Sequence, residues 1–292
     1  PPRSTLFPYT TLFRSLKNGI WFSIGGLAGI FIFRMDSFLI GQYISLTTVT
    51  SFVLTIKLYQ IADKFHQQFF NTTRPYFAQV YGKGDMKLFS KMYNISFNLS
   101  FTAAFVMGIT VLILNRWFIG IWVGADLYLG DTFNTLLCIN FILQAAVLPN
   151  RIALATTFYK IEWHNITRVT EGIMKLIVTI FLFQFIGINA VAVGSIIACV
   201  LFSSLSLNYL TSRLVNENFW KKIRILLLTP LILLIFYLTD EGLIRILSYV
   251  LLLGLIAIIF IIKEKQNLKT VLSRLPGFNS FNCKKMTEME EL

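Results

Sequence analysis

Charge is scarce in this chain of 292 residues: Asp, Glu, Lys and Arg make up 14% of it, against about 25% in a soluble domain of ordinary composition. Apolar residues account for 55%, and the mean hydropathy is +0.68. That imbalance excludes most water-solvated enzymes and nucleic-acid binders and defines a polytopic membrane protein. Cysteine is sparse too. Cys138, Cys199 and Cys283 are too few and too scattered for a disulfide framework or a zinc site, and the first two sit in apolar runs as packing residues. The two histidines, His66 and His164, have no carboxylate or cysteine at ligand spacing, which argues against a metal centre. No G-x-x-x-x-G-K-[ST] loop is present, and the YGKGD stretch from Tyr81 reads as a polar turn, so this chain supplies no ATP-derived energy. No connection holds a catalytic constellation beyond Asp126, Asp131, Asp240 and Glu241; the expectation is a protein that is not an enzyme and has no cofactor.

Residues 1–15 are set aside before any fold argument. Leu6 to Ser15, LFPYTTLFRS, resembles the in-frame translation of a sequencing adapter. The natural sequence is expected from near Leu16, with its own N-terminal part missing.

A bilayer core needs about 20 helical residues to cross. Eight apolar runs qualify as spans, at roughly 19–44, 47–69, 93–114, 132–157, 172–187, 190–210, 223–239 and 243–262. The fifth and seventh are short, and the seventh contains Pro230, so either fits a tilted or re-entrant segment. Basic residues set the orientation. The connections after spans two, four, six and eight carry four, two, four and six of them, sixteen in all, whereas the alternate connections carry only Arg116. Both ends of the chain are therefore expected in the cytoplasm. The net charge of +12 is read as membrane orientation toward anionic lipid, not as a nucleic-acid groove. The connection from Asn115 to Asp131, rich in Trp and Tyr, reads as an interfacial aromatic belt, and the tail from Pro276 as a cytoplasmic end.

Ionisable groups inside the spans carry the functional information, because each costs at least about 2.5 to 3.5 kcal/mol to insert and survives where it meets water, a partner or a substrate. Span one holds Arg34 and Asp36; span two holds Lys57, Asp63 and Lys64. Arg34 and Lys57 each lie about 11 residues from the turn that joins the spans, roughly 17 Å along a helix, so two cations share one depth. On span two Lys57, Gln60, Lys64, Gln67 and Asn71 recur on one helix face. That face lines an aqueous cavity, or else Lys64 snorkels to the interface and Lys57 pairs with Asp36 as a structural bridge. Asn140, Gln144 and Arg151 share a face of span four, with Pro149 expected to bend it; Arg151 then either enters the cavity or reaches the headgroups. Glu171 and Lys175, four apart at the start of span five, read as an interfacial pair, and Arg245 as a snorkelling residue.

The segment FIFRMDSFLIGQYISLTTVTSFVLTIKLYQIADKF, the Arg74–Pro75 step with the basic loop YGKGDMKLFSKMY, then NRWFIGIWVG and the turn IGINAVAVG, together resemble the C-terminal half of polysaccharide flippases of the multidrug/oligosaccharidyl-lipid/polysaccharide exporter superfamily, over about Leu16 to Leu275. The resemblance rests on the order of features and the topology, since no single motif is a sharp signature. It implies an all-α membrane bundle in which the eight spans are helices seven to fourteen of a fourteen-helix transporter. Residues 16–212 would be the six-helix second lobe, 213–262 two additional helices and 263–292 a cytoplasmic tail. It further implies a multi-pass protein of the bacterial cytoplasmic membrane whose partners are a lipid-linked oligosaccharide on undecaprenyl diphosphate, membrane lipids and the missing N-terminal lobe. On that expectation Arg34, Lys57, Lys64 and Arg151 bind the diphosphate. Asp36 holds Arg34 or Lys57 when the site is empty, and Gln60 and Gln144 contact sugar. A cation-coupled drug exporter of the same superfamily, which would favour an acidic cavity, and a non-transporting assembly subunit, which would pack Arg34 and Lys57 against protein, are the competing readings.

Overall fold

The computed structural model describes residues 35–220 without a break, together with positions 16, 19, 20, 23, 26, 222–224 and 226. Arg34, Arg245, Cys283, the adapter-like start, almost all of the two last spans and the tail lie outside the described residues. Among the described residues the chain is all-helical. Helix α1 covers 35–43, followed by α2 (Leu46–Thr55), α3 (Lys57–Asn71), α4 (Arg74–Gly82), α5 (Met86–Trp122), α6 (Asp131–Ala146), α7 (Leu148–Thr157), α8 (Ile161–Ile186) and α9 (Asn189–Ala198). A π-helical stretch, Cys199–Leu207, then runs into α10 (Asn208–Val215).

Four segments are long and apolar enough to cross a membrane: Met86–Trp122, Asp131–Thr157, Ile161–Ile186 and Asn189–Val215. They coincide with spans three to six of the sequence reading but are longer. The fifth was expected to be short, from 172; its helix begins at Ile161 and has 26 residues, ample for a full crossing. The sequence window missed its first turns because His164, Arg168 and Glu171 lower the hydropathy there without breaking the helix. Span two is also helical, as α2 and α3, with only Ile56 interrupting it. The basic loop after it contains a further short helix, α4, opened by Pro75 in its first turn and packed on α5 and α7. The aromatic connection is mostly the end of α5, from which Trp117 and Trp122 point outward.

Local chemistry explains the ends. Ser45 caps α2 by accepting from the Thr48 N–H at 3.1 Å, and Asp85 caps α5 through the Leu88 N–H at 2.9 Å. The turn between α8 and α9 passes through Gly187 at φ 55°, a conformation that favours glycine. On α9, Gly194 lets α8 come close: a Cβ there would lie 3.2 Å from the Thr179 nitrogen and 3.3 Å from the Lys175 carbonyl oxygen. In the connection after α5, Tyr128 donates to Asp131 at 2.9 Å, and burial together with that carboxylate raises its phenol pKa above the ordinary value.

The bundle is held at two depths by buried polar knots. Asn115 on α5 donates to the Thr55 carbonyl at 2.9 Å and to Asn134 Oδ1 at 2.8 Å; Asn134 in turn donates to the Leu112 carbonyl and accepts from Tyr59. This knot ties the α2–α3 junction to α5 and α6. At the other end Tyr93, Asn150, Asn208 and Thr211 join α5, α7 and α10. Asn134→Ala should lower the stability of the detergent-solubilised full-length protein by about 1–3 kcal/mol, since it strips partners from the buried Asn115 and Leu112 groups. A thermal-unfolding midpoint equal to wild type would show that the knot is not holding these helices.

Candidate functional site: a charged cavity between α1, α3, α6–α7 and α8

The helices enclose a cavity of about 530 Å³ into which Asp36, Asp63, Lys64, Arg151, Glu171 and Lys175 project. Gln60, Lys64 and Gln67 on its α3 wall are exposed while Asp36 and Lys175 are buried, so the space is a cleft open on one side. Local packing sets which face of α3 meets it. Tyr59, Ala62, His66 and Phe70 turn away into the core, where His66 Nε2 sits 3.2 Å from both Ser100 oxygens. The polar face is left to line the cleft.

Of the residues singled out from sequence, Asp36, Gln60, Lys64, Gln144 and Arg151 are brought together here. Lys57 is not: its side chain is exposed and it does not line the cavity, although it shares a helix with Gln60 and Lys64. Asn71 likewise lies outside it, in an adjoining surface groove with Lys64 and Gln67. Arg34 is outside the described residues. The expected bridge from Lys57 to Asp36 does not form. Asp36 pairs instead with Lys175 of α8 at 2.8 Å, in a pair whose side chains retain 10% and 5% of their exposure. A helix four steps along the chain presents its cation more directly than the neighbouring hairpin arm does.

The interfacial pair expected between Glu171 and Lys175 is also replaced. Glu171 accepts from Gln144 at 2.8 Å and from Ser203, while Gln144 Oε1 accepts from Arg151 at 2.9 Å. One amide thus stands between a carboxylate and a guanidinium, and its N/O assignment follows from that, because only NH₂ can donate to carboxylate and only the carbonyl can accept from arginine. Gln144 is committed at both ends, which makes it a spacer here; Gln60 has no such commitment. Ser203 belongs to the π-helical stretch, whose wider turns set both Ser203 and Ser204 inside the bundle.

The span carrying Pro149 is interrupted at Val147, between α6 and α7. The carbonyl of Ala145, four residues before the proline, accepts from the Ser100 hydroxyl at 3.0 Å and does not open toward the cavity. Arg151, two residues on, is turned into the cleft and not toward headgroups.

Among the described residues the lining carries three carboxylates and three cations, where the sequence implied a mostly basic set. The cations differ in state, however. Lys175 is tied to Asp36, whereas Lys64 and Arg151 have no carboxylate within ion-pair distance among the described residues, and Arg151 Nε is buried without a partner. His164, Arg168, Glu171 and Lys175 follow one face of α8 at spacings of 4, 3 and 4, the same signature read on span two. The segment was missed as a site wall because its first half fell outside the apolar window. Cys138 and Cys199 are buried packing residues.

No protein-family profile, curated protein or solved structure matches this chain.

The Asp36–Lys175 pair generates a test. Asp36→Asn removes the carboxylate that a buried ammonium is paired with and should cost about 3–5 kcal/mol, whereas replacing both members by apolar residues, as in D36L/K175M, should be much nearer neutral. Thermal unfolding of the full-length variants measures this; a single substitution as stable as the double one would mean that the pair is not formed in the folded protein.

Proposed function

We propose that the chain is the cavity-bearing lobe of a membrane carrier that moves an anionic, lipid-linked oligosaccharide across the bacterial cytoplasmic membrane, by alternating access against a second lobe. The observation that carries this reading is the pair of cations, Lys64 and Arg151, that face the cleft without carboxylate partners. A diphosphate crossing hydrocarbon needs such donors at intermediate depth, arginine as a planar fork and lysine as a point charge. Its polyprenyl tail can stay in lipid through the open side of the cleft, and Gln60, exposed on the wall, is placed to meet sugar hydroxyls. Lys175 contributes as the cation a bound anion can draw from Asp36. The resemblance to polysaccharide flippases supports the same cargo, and a non-transporting subunit would have no use for a cleft lined by ionised groups. On this reading no bond is made or broken, and the protein is not an enzyme.

A cation-coupled exporter is the second reading, favoured by the three carboxylates on the lining. The two differ in which charges the transported species needs. In the full-length protein reconstituted in vesicles, Arg151→Gln and Lys64→Gln should each reduce flipping of undecaprenyl-diphosphate-linked oligosaccharide by about tenfold or more, the loss expected for one charged hydrogen bond. Asp63→Asn should leave flipping nearly intact. Retained glycan transport in R151Q/K64Q, with loss in D63N, would transfer the assignment to the cation-coupled class.

A further inference from the structure

The first turns of α8 hold a group of buried donors that the cavity does not use. His164 and Asn165 are 5% and 3% exposed, and neither His164 Nδ1 nor Asn165 Nδ2 has a hydrogen-bond partner among the described residues. Arg168 Nε and Arg151 Nε are buried and unpartnered in the same way, and Arg151 on α7 acts electrostatically on both His164 and Arg168. At about 100° per residue, His164, Arg168 and Asn165 fall within an arc of roughly 100° on α8. They form one surface.

Leaving a buried donor unmade costs about 1–3 kcal/mol, so a fold that collects an amide NH₂ and two guanidinium Nε–H groups without partners, beside an imidazole that can place its N–H on either ring nitrogen, is short of an acceptor. Nearby carboxylates do not supply it. Glu171 already accepts from Gln144 and Ser203, and Glu162 lies about 120° round the helix from Arg168. The N-terminus of α8 adds positive potential, with no side chain capping it. Depth narrows the ligand. A helix of 26 residues is about 39 Å long against a hydrocarbon core of about 30 Å, so its start reaches the headgroup zone and Arg168, about 10 Å further in, lies just inside the core.

We propose that His164, Asn165 and Arg168, with Arg151 at its edge, form a site for a phosphoryl anion toward the membrane interface, adjoining the cavity and sharing Arg151 with it. Two guanidinium edges, an imidazole N–H and an amide NH₂ match a tetrahedral oxyanion with several acceptor oxygens. Residues 164, 165 and 168 are not among those lining the cleft, whereas Arg151 is, so the two sites meet at that one arginine. The same chemistry is offered by a phospholipid headgroup and by free phosphate or pyrophosphate.

The test uses the full-length protein in nanodiscs. One arm titrates inorganic phosphate and pyrophosphate in phosphatidylcholine discs, following thermal stability and heat of binding; the other compares phosphatidylcholine discs with discs containing phosphatidylglycerol. A stabilising shift in the first arm assigns the site to free anions, in the second to headgroups. Arg168→Gln and His164→Ala should each weaken that response by about tenfold or more, also in a K64Q background that removes the lysine of the cavity, while K83Q in the exposed turn leaves it unchanged. Without anion, R168Q should be at least as stable as wild type, since it removes a half-buried cation whose Nε has no partner; this separates loss of binding from loss of fold. No response of wild type in either arm, or an R168Q response equal to wild type, overturns the proposal.

Discussion

Asp36 and Lys175, 139 residues apart in sequence, meet at 2.8 Å in the interior of a helical bundle. Neither charge is tolerable there alone. The penalty for an unpaired ion away from water is several kcal/mol, so the pair dictates that α1 and α8 stay side by side, and the cleft opens where they do. The remaining charged residues obey the same constraint in a graded way. Glu171 is satisfied by neutral donors, Arg151 in part by an amide oxygen with its Nε left over, and Lys64 by the open side of the cleft. Moving from buried to exposed along the lining, ions go from paired, to hydrogen-bonded, to solvated.

Packing between helices in lipid gains nothing from expelling water, since lipid tails are as apolar as leucine. The bundle relies on close approach and on internal hydrogen bonds instead. Gly194 and Thr179 bring α8 and α9 together, and the knot of Tyr59, Asn115 and Asn134 holds the irregular residue Ile56 against α5 and α6. Irregularities are concentrated along the cavity walls: Ile56 between α2 and α3, Val147 before Pro149, and the π turns carrying Ser203. Each tilts or widens a helix next to the cleft, while α5, on the far side of the core, runs unbroken for 37 residues.

On α8 the charges are arranged by depth. Lys175, Glu171, Arg168 and His164 descend one face in steps of three or four residues, from the ion pair through the cavity wall to the interfacial donors. An anion arriving at the membrane surface would meet these donors before it reached the cleft, which gives the two proposed sites a natural order, with Arg151 between them.

Much of the helical architecture was legible in the chain itself. Apolar run lengths marked spans three, four and six, because a bilayer-crossing helix must satisfy all its backbone groups internally and so reads as an unbroken run. The 4 and 7 spacing of Asn140, Gln144 and Arg151, and the 4 and 3 spacing of Gln60, Lys64 and Gln67 on α3, were legible because helix periodicity is a local property, and these residues line the cleft while Lys57 and Asn71 of the same α3 face do not. Only the tertiary structure decided which ions face each other. Periodicity fixes a residue's angle on its own helix but not which helix lies opposite, so Lys57 was as good a partner for Asp36 as Lys175 until α8 packed beside α1. The start of α8 was lost for a related reason: its polar residues lower the local hydropathy, and only their burial against other helices reveals that they belong to the membrane bundle.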